Sequence, residues 1–140
     1  MRRVELKVSC RSQGDHTIMS VTGEIDVYTA PRLQGALAEA LAGRVPARIV
    51  VDMSGVGFCD STGLNVLLAA QRRAREGGGE LELAGPRSAI RKVLQLTGLQ
   101  SVLIVRDDIV RDDIAGDHAV REDAVREDAV LDDPAAMAGQ

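Results

Sequence analysis

The spacing of hydrophobic residues at the start of the chain predicts a β-hairpin. Residues 4–11 alternate apolar and polar side chains, and residues 16–21 resume an extended apolar pattern. A period of two is typical of a half-buried strand, because successive side chains point to opposite faces of a sheet. Residues 13–15, Gln-Gly-Asp, separate the two segments and have the composition of a turn.

Three later stretches carry apolar residues at helical spacing. The first follows Thr29, a predicted helix cap, and ends near Gly43. The second covers about residues 61–76, and the third begins at Pro86 and stops at Gly98. The residues predicted to form the inward faces of the second and third helices are Leu64, Leu67, Leu68, Gln71, Ile90, Val93, Leu94 and Leu96.

Three more strands are predicted between and after these helices. Residues 48–53 form a nearly continuous apolar run, as expected of a strand that is covered on both faces. Residues 54–59 are predicted to be a link, and residues 80–84 and 101–105 to be strands. The resulting order β-β-α-β-α-β-α-β predicts an α/β fold with a mixed sheet. Right-handed crossovers would place the helices mainly on one face of that sheet.

The end of the chain has a different character. Residues 105–109 are repeated as 110–114, and residues 120–124 as 125–129, so the period is five. Because five matches neither the helical nor the strand period, apolar groups cannot line one long face. Residues 1–105 are therefore predicted to be the folded domain, and residues 106–140 a flexible acidic tail. An interaction tail for a basic surface is the alternative that these residues leave open.

Composition excludes several classes of function. Aromatic residues make up 1% of the chain, which argues against stacking platforms for single-stranded nucleic acid. No apolar run approaches the roughly 20 residues that a membrane span needs. The N-terminus has charge but no following apolar region, so no export signal is predicted and a cytoplasmic location is expected. In that compartment Cys10 and Cys59 are predicted to be reduced thiols of the core.

Ser61 is the first candidate for chemistry. It lies where a strand is predicted to end and a helix to begin, and a helix N-terminus attracts anions through its unpaired N–H groups and its dipole. A phosphate attached there is compatible with the helix. The simpler interpretation is that Ser61 is an N-cap, which is a common role for serine.

Catalysis and cofactor binding find little support in the sequence. Ser61 has no Gly-x-Ser-x-Gly elbow around it, and the only histidines are His16 on an early strand and His118 in the tail. Asp26 and Asp60 are not accompanied by a cysteine and histidine cluster, so no metal site is predicted. The glycines at 77–79 lack the Gly-Lys-Ser/Thr ending of a phosphate-binding loop, and no cofactor is expected.

The residues around Ser61 resemble a known family. The run Asp60-Ser61-Thr62-Gly63-Leu64, with Gly23-Glu24-Ile25-Asp26 upstream, is similar to the STAS-domain anti-sigma factor antagonists of bacteria. The run Val27-Tyr28-Thr29-Ala30-Pro31 resembles the actinobacterial branch, and Thr97-Gly98-Leu99 also fits. The resemblance covers about residues 4–105 and implies a STAS-like fold with the predicted order of elements.

What the resemblance implies is a partner switch without catalysis by this chain. The unphosphorylated antagonist binds an anti-sigma factor that is also a serine kinase, and this frees the sigma factor. The kinase then phosphorylates the matching serine, here Ser61, and the complex dissociates until a serine phosphatase restores the protein. The residues that the resemblance places at the partner interface are Glu24, Asp26, Tyr28, Thr29, Asp60, Thr62, Gly63 and Leu64.

Two features depart from the family pattern. Asn65 stands where the family usually has a second glycine, so a side chain is expected to affect partner choice or phosphorylation. The pentapeptide repeats take the place of the usual C-terminal helix. An alternative function is a STAS interaction module of a scaffold or transporter-associated complex in which Ser61 is not phosphorylated, because one fold can host several functions. An esterase with Ser61 as nucleophile is the third hypothesis, and it lacks a base.

Overall fold

The chain begins with a β-hairpin. A computed structural model describes residues 5–107, and within it β1 (Lys7–Gln13) pairs antiparallel with β2 (His16–Ile25). Gln13 lies opposite His16, so the turn has only two residues, and Gly14 adopts the left-handed φ of 66° that such turns need. The predicted hairpin is confirmed, although β2 continues four residues beyond the predicted end.

Three helices connect the remaining strands. In chain order the elements are α1 (Ala30–Gly43), β3 (Arg48–Cys59), α2 (Ser61–Glu76), β4 (Glu80–Ala84), α3 (Ser88–Thr97), a short 3₁₀ helix (Leu99–Ser101) and β5 (Ile104–Arg106). Each helix ends next to a glycine or contains one at its last position, as the sequence predicted. Gly98 follows α3 with a φ of 79°, the left-handed conformation that commonly ends a helix.

The described strands form one mixed sheet. Its order is β1-β2-β3-β4-β5, with β1 antiparallel to β2 and each later pair parallel. The predicted fold class is therefore confirmed. Because β2, β3 and β4 run in the same direction, their carboxyl ends and the loops that follow them meet at one edge of the sheet. This edge carries residues 26–29 and 60–62, whereas β4 ends earlier, with Ala84 opposite Asp52 of β3.

The main core lies between the sheet and the helices. Buried Leu33, Leu67 and Leu94 represent the three helices in it, together with Val51 and Leu83 of the central strands. Ile18, Val50 and Ala84 form a separate small cluster, which contains no residue of the described helices. Since residues 50 and 51 alternate across β3, the helices pack on one face and the small cluster lies on the other.

Residues 54–59, predicted to be a link, are instead the second half of β3. They pair with the end of β2, with Thr22 opposite Gly55 and Ile25 opposite Cys59. Gly55 permits this approach, because a Cβ there would lie 3.1 Å from the carbonyl oxygen of Val21. The glycines of this segment led to the prediction of a loop. The segment forms a strand because it pairs with β2, which is distant in the sequence.

Smaller differences concern the end of the domain. The helix predicted from Pro86 begins at Ser88, and the strand predicted over residues 101–105 is the 3₁₀ helix followed by β5. Val93 and Leu96, predicted to face the core, are 38% and 78% exposed, because only Ile90 and Leu94 of α3 point towards the sheet.

The two cysteines have different environments. Cys59 is buried as predicted, whereas Cys10 is exposed, so the prediction of two core thiols was wrong for Cys10. Cys10 lies on β1, which has a strand partner on one side only among the described strands. None of the described helices is both long and apolar enough to cross a membrane. The first pentapeptide begins within β5, which includes Arg106 of the predicted tail. Val4 and residues 108–140, with the rest of the repeats, lie outside the described residues.

Candidate functional site

Ser61 lies at the carboxyl edge of the parallel strands, as the first residue of α2. The chain leaves β3 at Cys59, passes through Asp60 and enters the helix directly. Ser61 is exposed, and its hydroxyl makes no hydrogen bond with another residue of the described range. A serine hydroxyl in this position is accessible from outside the domain.

Asp60, and not Ser61, is the N-cap of α2. Its Oδ1 accepts a hydrogen bond of 3.1 Å from the backbone N–H of Gly63, and its extended backbone conformation is that of a cap. Its own N–H donates to the carbonyl oxygen of Ile25 at 3.1 Å, which ties the start of the helix to the end of β2. The interpretation of Ser61 as an N-cap, which the sequence allowed, is therefore wrong. The Ser61 hydroxyl is not used to cap the helix.

Gly63 is buried against the sheet. A Cβ at this position would lie 2.5 Å from Cγ2 of Ile25 and 2.7 Å from Sγ of Cys59. The first turn of α2 can approach β2 and β3 only because residue 63 has no side chain. Leu64 is 6% exposed and belongs to the main core. The contacts of these two predicted interface residues thus lie inside the domain.

The loop between β2 and α1 is held by a network centred on Asp26 and Thr29. Oδ1 of Asp26 accepts hydrogen bonds from the N–H groups of Tyr28 and Thr29, at 2.9 and 3.0 Å. The Thr29 hydroxyl donates to the carbonyl oxygen of Glu24 at 2.8 Å and accepts from the N–H of Asp26 at 2.9 Å. Thr29 occupies the cap position of α1, but its side chain bonds backwards to this loop, not forwards to the helix.

This network presents two apolar side chains to the outside. Val27 is 58% exposed and Tyr28 is 71% exposed at the tip of the loop. Phe58 is 48% exposed on β3, opposite Glu24 in the sheet register. Tyr28 was predicted as a site residue, whereas Val27 and Phe58 were not. Their sequence signal was weak, because an apolar residue beside a turn is expected to point inwards.

Three acidic residues lie at the same edge of the sheet as Ser61. Glu24, Asp26 and Asp60 all lie in or next to the strand ends at this edge and are partly exposed. Burial, and secondarily the Asp60 carboxylate, raises the pKa of the Cys59 thiol to about 12. Cys59 is therefore a neutral thiol at physiological pH and fills space beside Gly63, with little reactivity.

Among the described residues, no histidine lies where it could act as a base for Ser61. His16 begins β2, whereas Asp60 is bonded to its last residue, so roughly 30 Å of strand separates them. His16 lies 3.0 Å from Asp15 at the far edge, and His118 lies outside the described residues. Among residues 5–107, no group of three histidine, cysteine or acidic side chains has the arrangement of a metal site.

The structure divides the predicted site residues into two groups. Glu24, Asp26, Tyr28, Asp60, Ser61 and Thr62 are at least partly exposed at one edge, whereas Thr29, Gly63 and Leu64 are buried. Asn65, one turn after Ser61 on α2, is exposed and therefore lies on the same helix face. The arrangement can present a hydroxyl to the active site of another protein.

Comparison with known proteins supports the same family assignment along most of the chain. The protein-family model described as Mlab, STAS domain, matches residues 8–106. The anti-sigma-B factor antagonist of Listeria monocytogenes is 33% identical over 93 residues, which are 66% of this chain and 81% of that protein.

Solved structures show the same architecture. The crystal structure of an anti-sigma factor antagonist from Mycobacterium paratuberculosis superimposes with a TM-score of 0.68 at 28% identity, over 88% of this chain and 96% of that one. The anti-sigma factor antagonist SpoIIAA in its unphosphorylated form has a TM-score of 0.63 at 21% identity, over 81% and 96% of the two chains. The second likeness concerns the fold alone.

Proposed function

Because this chain belongs to the family of STAS-domain anti-sigma factor antagonists, we propose that it binds an anti-sigma factor and thereby releases a sigma factor. The partner is an anti-sigma factor that is also a serine kinase, and Ser61 is the residue it phosphorylates. A serine phosphatase reverses the modification, and the exchange takes place in the cytoplasm. Relatives are named as antagonists, that is, as regulatory binding proteins.

The observation that carries this proposal is the exposure of the Ser61 side chain. It is exposed at the start of α2, and Asp60 performs the capping that would otherwise occupy its hydroxyl. In the proposed reaction the Ser61 oxygen attacks the γ-phosphorus of ATP and the bond to ADP breaks. The hydroxyl proton leaves to a base of the kinase, since no described histidine of this chain lies near enough to accept it.

We place the partner surface around Ser61, on the exposed side chains of Val27, Tyr28 and Phe58. Exposed aromatic and aliphatic groups beside partly exposed carboxylates are typical of a binding surface. Glu24 and Asp26 give this surface a negative rim, which favours a partner with basic residues opposite them. Thr29, Gly63 and Leu64 support the surface from inside the domain.

Phosphorylation acts on this surface through charge. A phosphate adds about −1.5 to −2 charges beside Asp60, which is already anionic. An interface that accommodates a neutral hydroxyl would then have to desolvate the phosphate and place it among like charges. The domain itself tolerates the phosphate, because the N-terminus of α2 favours negative charge. The modification therefore weakens binding without unfolding the domain.

Binding measurements on substituted proteins test this proposal. Ser61→Ala should bind the kinase like the unmodified protein, whereas Ser61→Asp should bind at least about tenfold more weakly, a loss of about 1.4 kcal/mol. Ser12→Asp is the matched control, since Ser12 is an exposed serine of β1 opposite Thr17, at the end of β2 remote from Ser61. Its affinity should remain unchanged. Equal affinities of the two Ser61 variants would contradict the electrostatic switch. A pull-down with the full-length protein tests the alternative function. Recovery of transporter subunits in place of a kinase would support an interaction module without phosphorylation.

A further inference from the structure

The second half of β3 extends beyond its neighbour in the sheet. Pairing between β3 and β4 ends where Asp52 lies opposite Ala84, although β3 continues to Cys59. Beyond that point only β2 pairs with it among the described strands, and this pairing contains register shifts between Ser20 and Thr22 and between Gly23 and Glu24. Irregular, one-sided pairing makes a strand end easier to displace.

Arg87 occupies the side of β3 that β4 leaves open. It follows the end of β4 at the cap position of α3, and its Nε donates a hydrogen bond of 3.1 Å to the carbonyl oxygen of Ser54. Further along β3, a Cβ on Gly57 would lie 4.0 Å from Nη1 of Arg87. The guanidinium thus lies beside the part of β3 that β4 does not pair with, and it donates a hydrogen bond to that part.

Displacement of this segment would displace Ser61. Cys59, Asp60 and Ser61 follow one another without an intervening loop, so the end of β3 determines where α2 begins. Asp60 is tied to Ile25 of β2 on one side, and Arg87 holds β3 from the other side.

We propose that Arg87 is a positioning residue for Ser61. By holding β3 at Ser54, five residues before the strand ends, it keeps the hydroxyl where the kinase can bring it in line with ATP. The expected effect of Arg87 on phosphorylation of Ser61 rests on the proposed function. The stabilisation of β3 by Arg87 does not, because it concerns this chain alone. Phosphoryl transfer is sensitive to such placement, because a displacement of about 1 Å can cost about 100-fold in rate.

Two substitutions and one control test this inference in the full-length protein. Arg87→Gln removes the charged donor, and Arg87→Lys retains the charge without the planar guanidinium that bonds Ser54. Lys92→Gln is the control, because Lys92 is an exposed residue of the same helix and its substitution changes the net charge equally.

Amide hydrogen exchange of residues 54–60 is the first measurement. Loss of a hydrogen bond from a charged donor should accelerate exchange of this segment roughly tenfold or more in Arg87→Gln. Arg87→Lys should be intermediate, and Lys92→Gln should match the unmodified protein. Unchanged exchange in Arg87→Gln would overturn the inference, whether or not Ser61 is ever phosphorylated.

Steady-state phosphorylation by the anti-sigma factor kinase is the second measurement. Misplacement of the hydroxyl should lower kcat roughly tenfold or more with little change in KM, and Arg87→Lys should recover part of the loss. An unchanged kcat alongside faster exchange would overturn the functional part of the inference. If the unmodified protein is not phosphorylated on Ser61 at all, the proposed function fails and hydrogen exchange alone decides the positioning role.

Discussion

Asp60 and Ser61 are neighbours with different roles at the start of α2. The Asp60 carboxylate satisfies the N–H of Gly63, a group that the helix itself cannot pair. Ser61 follows as the first helical residue and keeps its hydroxyl exposed. This division leaves the Ser61 hydroxyl available for the phosphate that the proposed function assigns to it.

Substitution of Asp60 can separate its capping role from its charge. Asp60→Ala should lower the free energy of unfolding by about 1 kcal/mol, because the cap is lost. Asp60→Asn should remain close to the unmodified protein, since asparagine caps as well as aspartate. Urea denaturation of the two variants measures the difference. An alanine variant as stable as the asparagine variant would show that the hydrogen bond to Gly63 contributes nothing.

Gly63 illustrates a competition between helix propensity and packing. Alanine is favoured over glycine inside a helix by about 1 kcal/mol. At position 63, however, the added carbon would lie 2.5 Å from Ile25 and 2.7 Å from Cys59, both buried. Overpacking of this kind costs about 1–3 kcal/mol, so it should outweigh the gain in propensity.

Thermal or urea unfolding tests this competition with Gly35 as the control. Nothing lies within 4 Å of a Cβ on Gly35, which is an exposed position of α1. Gly35→Ala should therefore stabilise the protein by about 0.5–1 kcal/mol, whereas Gly63→Ala should destabilise it. Two changes of the same sign would contradict the close packing of α2 on the strand ends.

At the scale of elements, Gln71 joins α2 to the sheet. Its side chain is 1% exposed. Its Oε1 accepts from the N–H of Leu81 at 2.8 Å, and its Nε2 donates to Glu80 at 3.0 Å and to the carbonyl oxygen of Val102 at 3.1 Å. One buried amide thus connects α2, the start of β4 and the segment before β5.

Replacement of the Gln71 amide by an apolar side chain should destabilise the domain, although the buried side chain becomes more hydrophobic. Gln71→Leu leaves the N–H of Leu81 and the carbonyl of Val102 without their partner, at a cost of about 1–3 kcal/mol for each orphaned group. Gln34→Leu, at an exposed position of α1, should change stability by no more than about 0.5 kcal/mol. Equal stabilities of the two variants, measured by urea denaturation, would refute a structural role for the Gln71 network.

Local sequence patterns correctly predicted the helices, whose formation depends on residues close together in the chain. The helices were found because their apolar residues repeat at 3.6-residue spacing and glycines mark their ends. The end of β3 was missed because its glycines favour a loop locally, whereas its pairing with β2 brings together segments distant in sequence. The inward direction of Val93 and Leu96 was also missed, because periodicity does not tell which part of an apolar stripe meets the sheet.

The same reasoning applies to the site. The family resemblance predicted that Glu24 and Asp26 lie near Ser61, and in the structure the ends of β2 and β3 that carry them are neighbours in the sheet. Sequence could not show that Asp60 is the cap, since aspartate and serine are equally good caps. Nor could it show that Arg87, far along the chain, reaches Ser54. Such relations depend on how elements pack, and no local signal carries them.

At the scale of the whole molecule, the edge around Ser61 combines an accessible hydroxyl, apolar side chains and a negative rim. In the proposed function, Tyr28 and Phe58 would provide apolar contact area, and Glu24 and Asp60 the charge that a phosphate would augment. The fold holds these groups on the ends of β2 and β3 and on the residues directly after them, so the surface is formed before a partner arrives. Such preorganisation lowers the entropic cost of binding.

Site mapping after phosphorylation tests the central claim most directly. The full-length protein would be incubated with ATP and an anti-sigma factor kinase from its own organism, and modified peptides identified by mass spectrometry. We expect one phosphate, on Ser61, and no incorporation into Ser61→Ala under the same conditions. Phosphate on Thr62 or another residue, or incorporation into Ser61→Ala equal to that of the unmodified protein, would contradict the assignment of Ser61 as the switch.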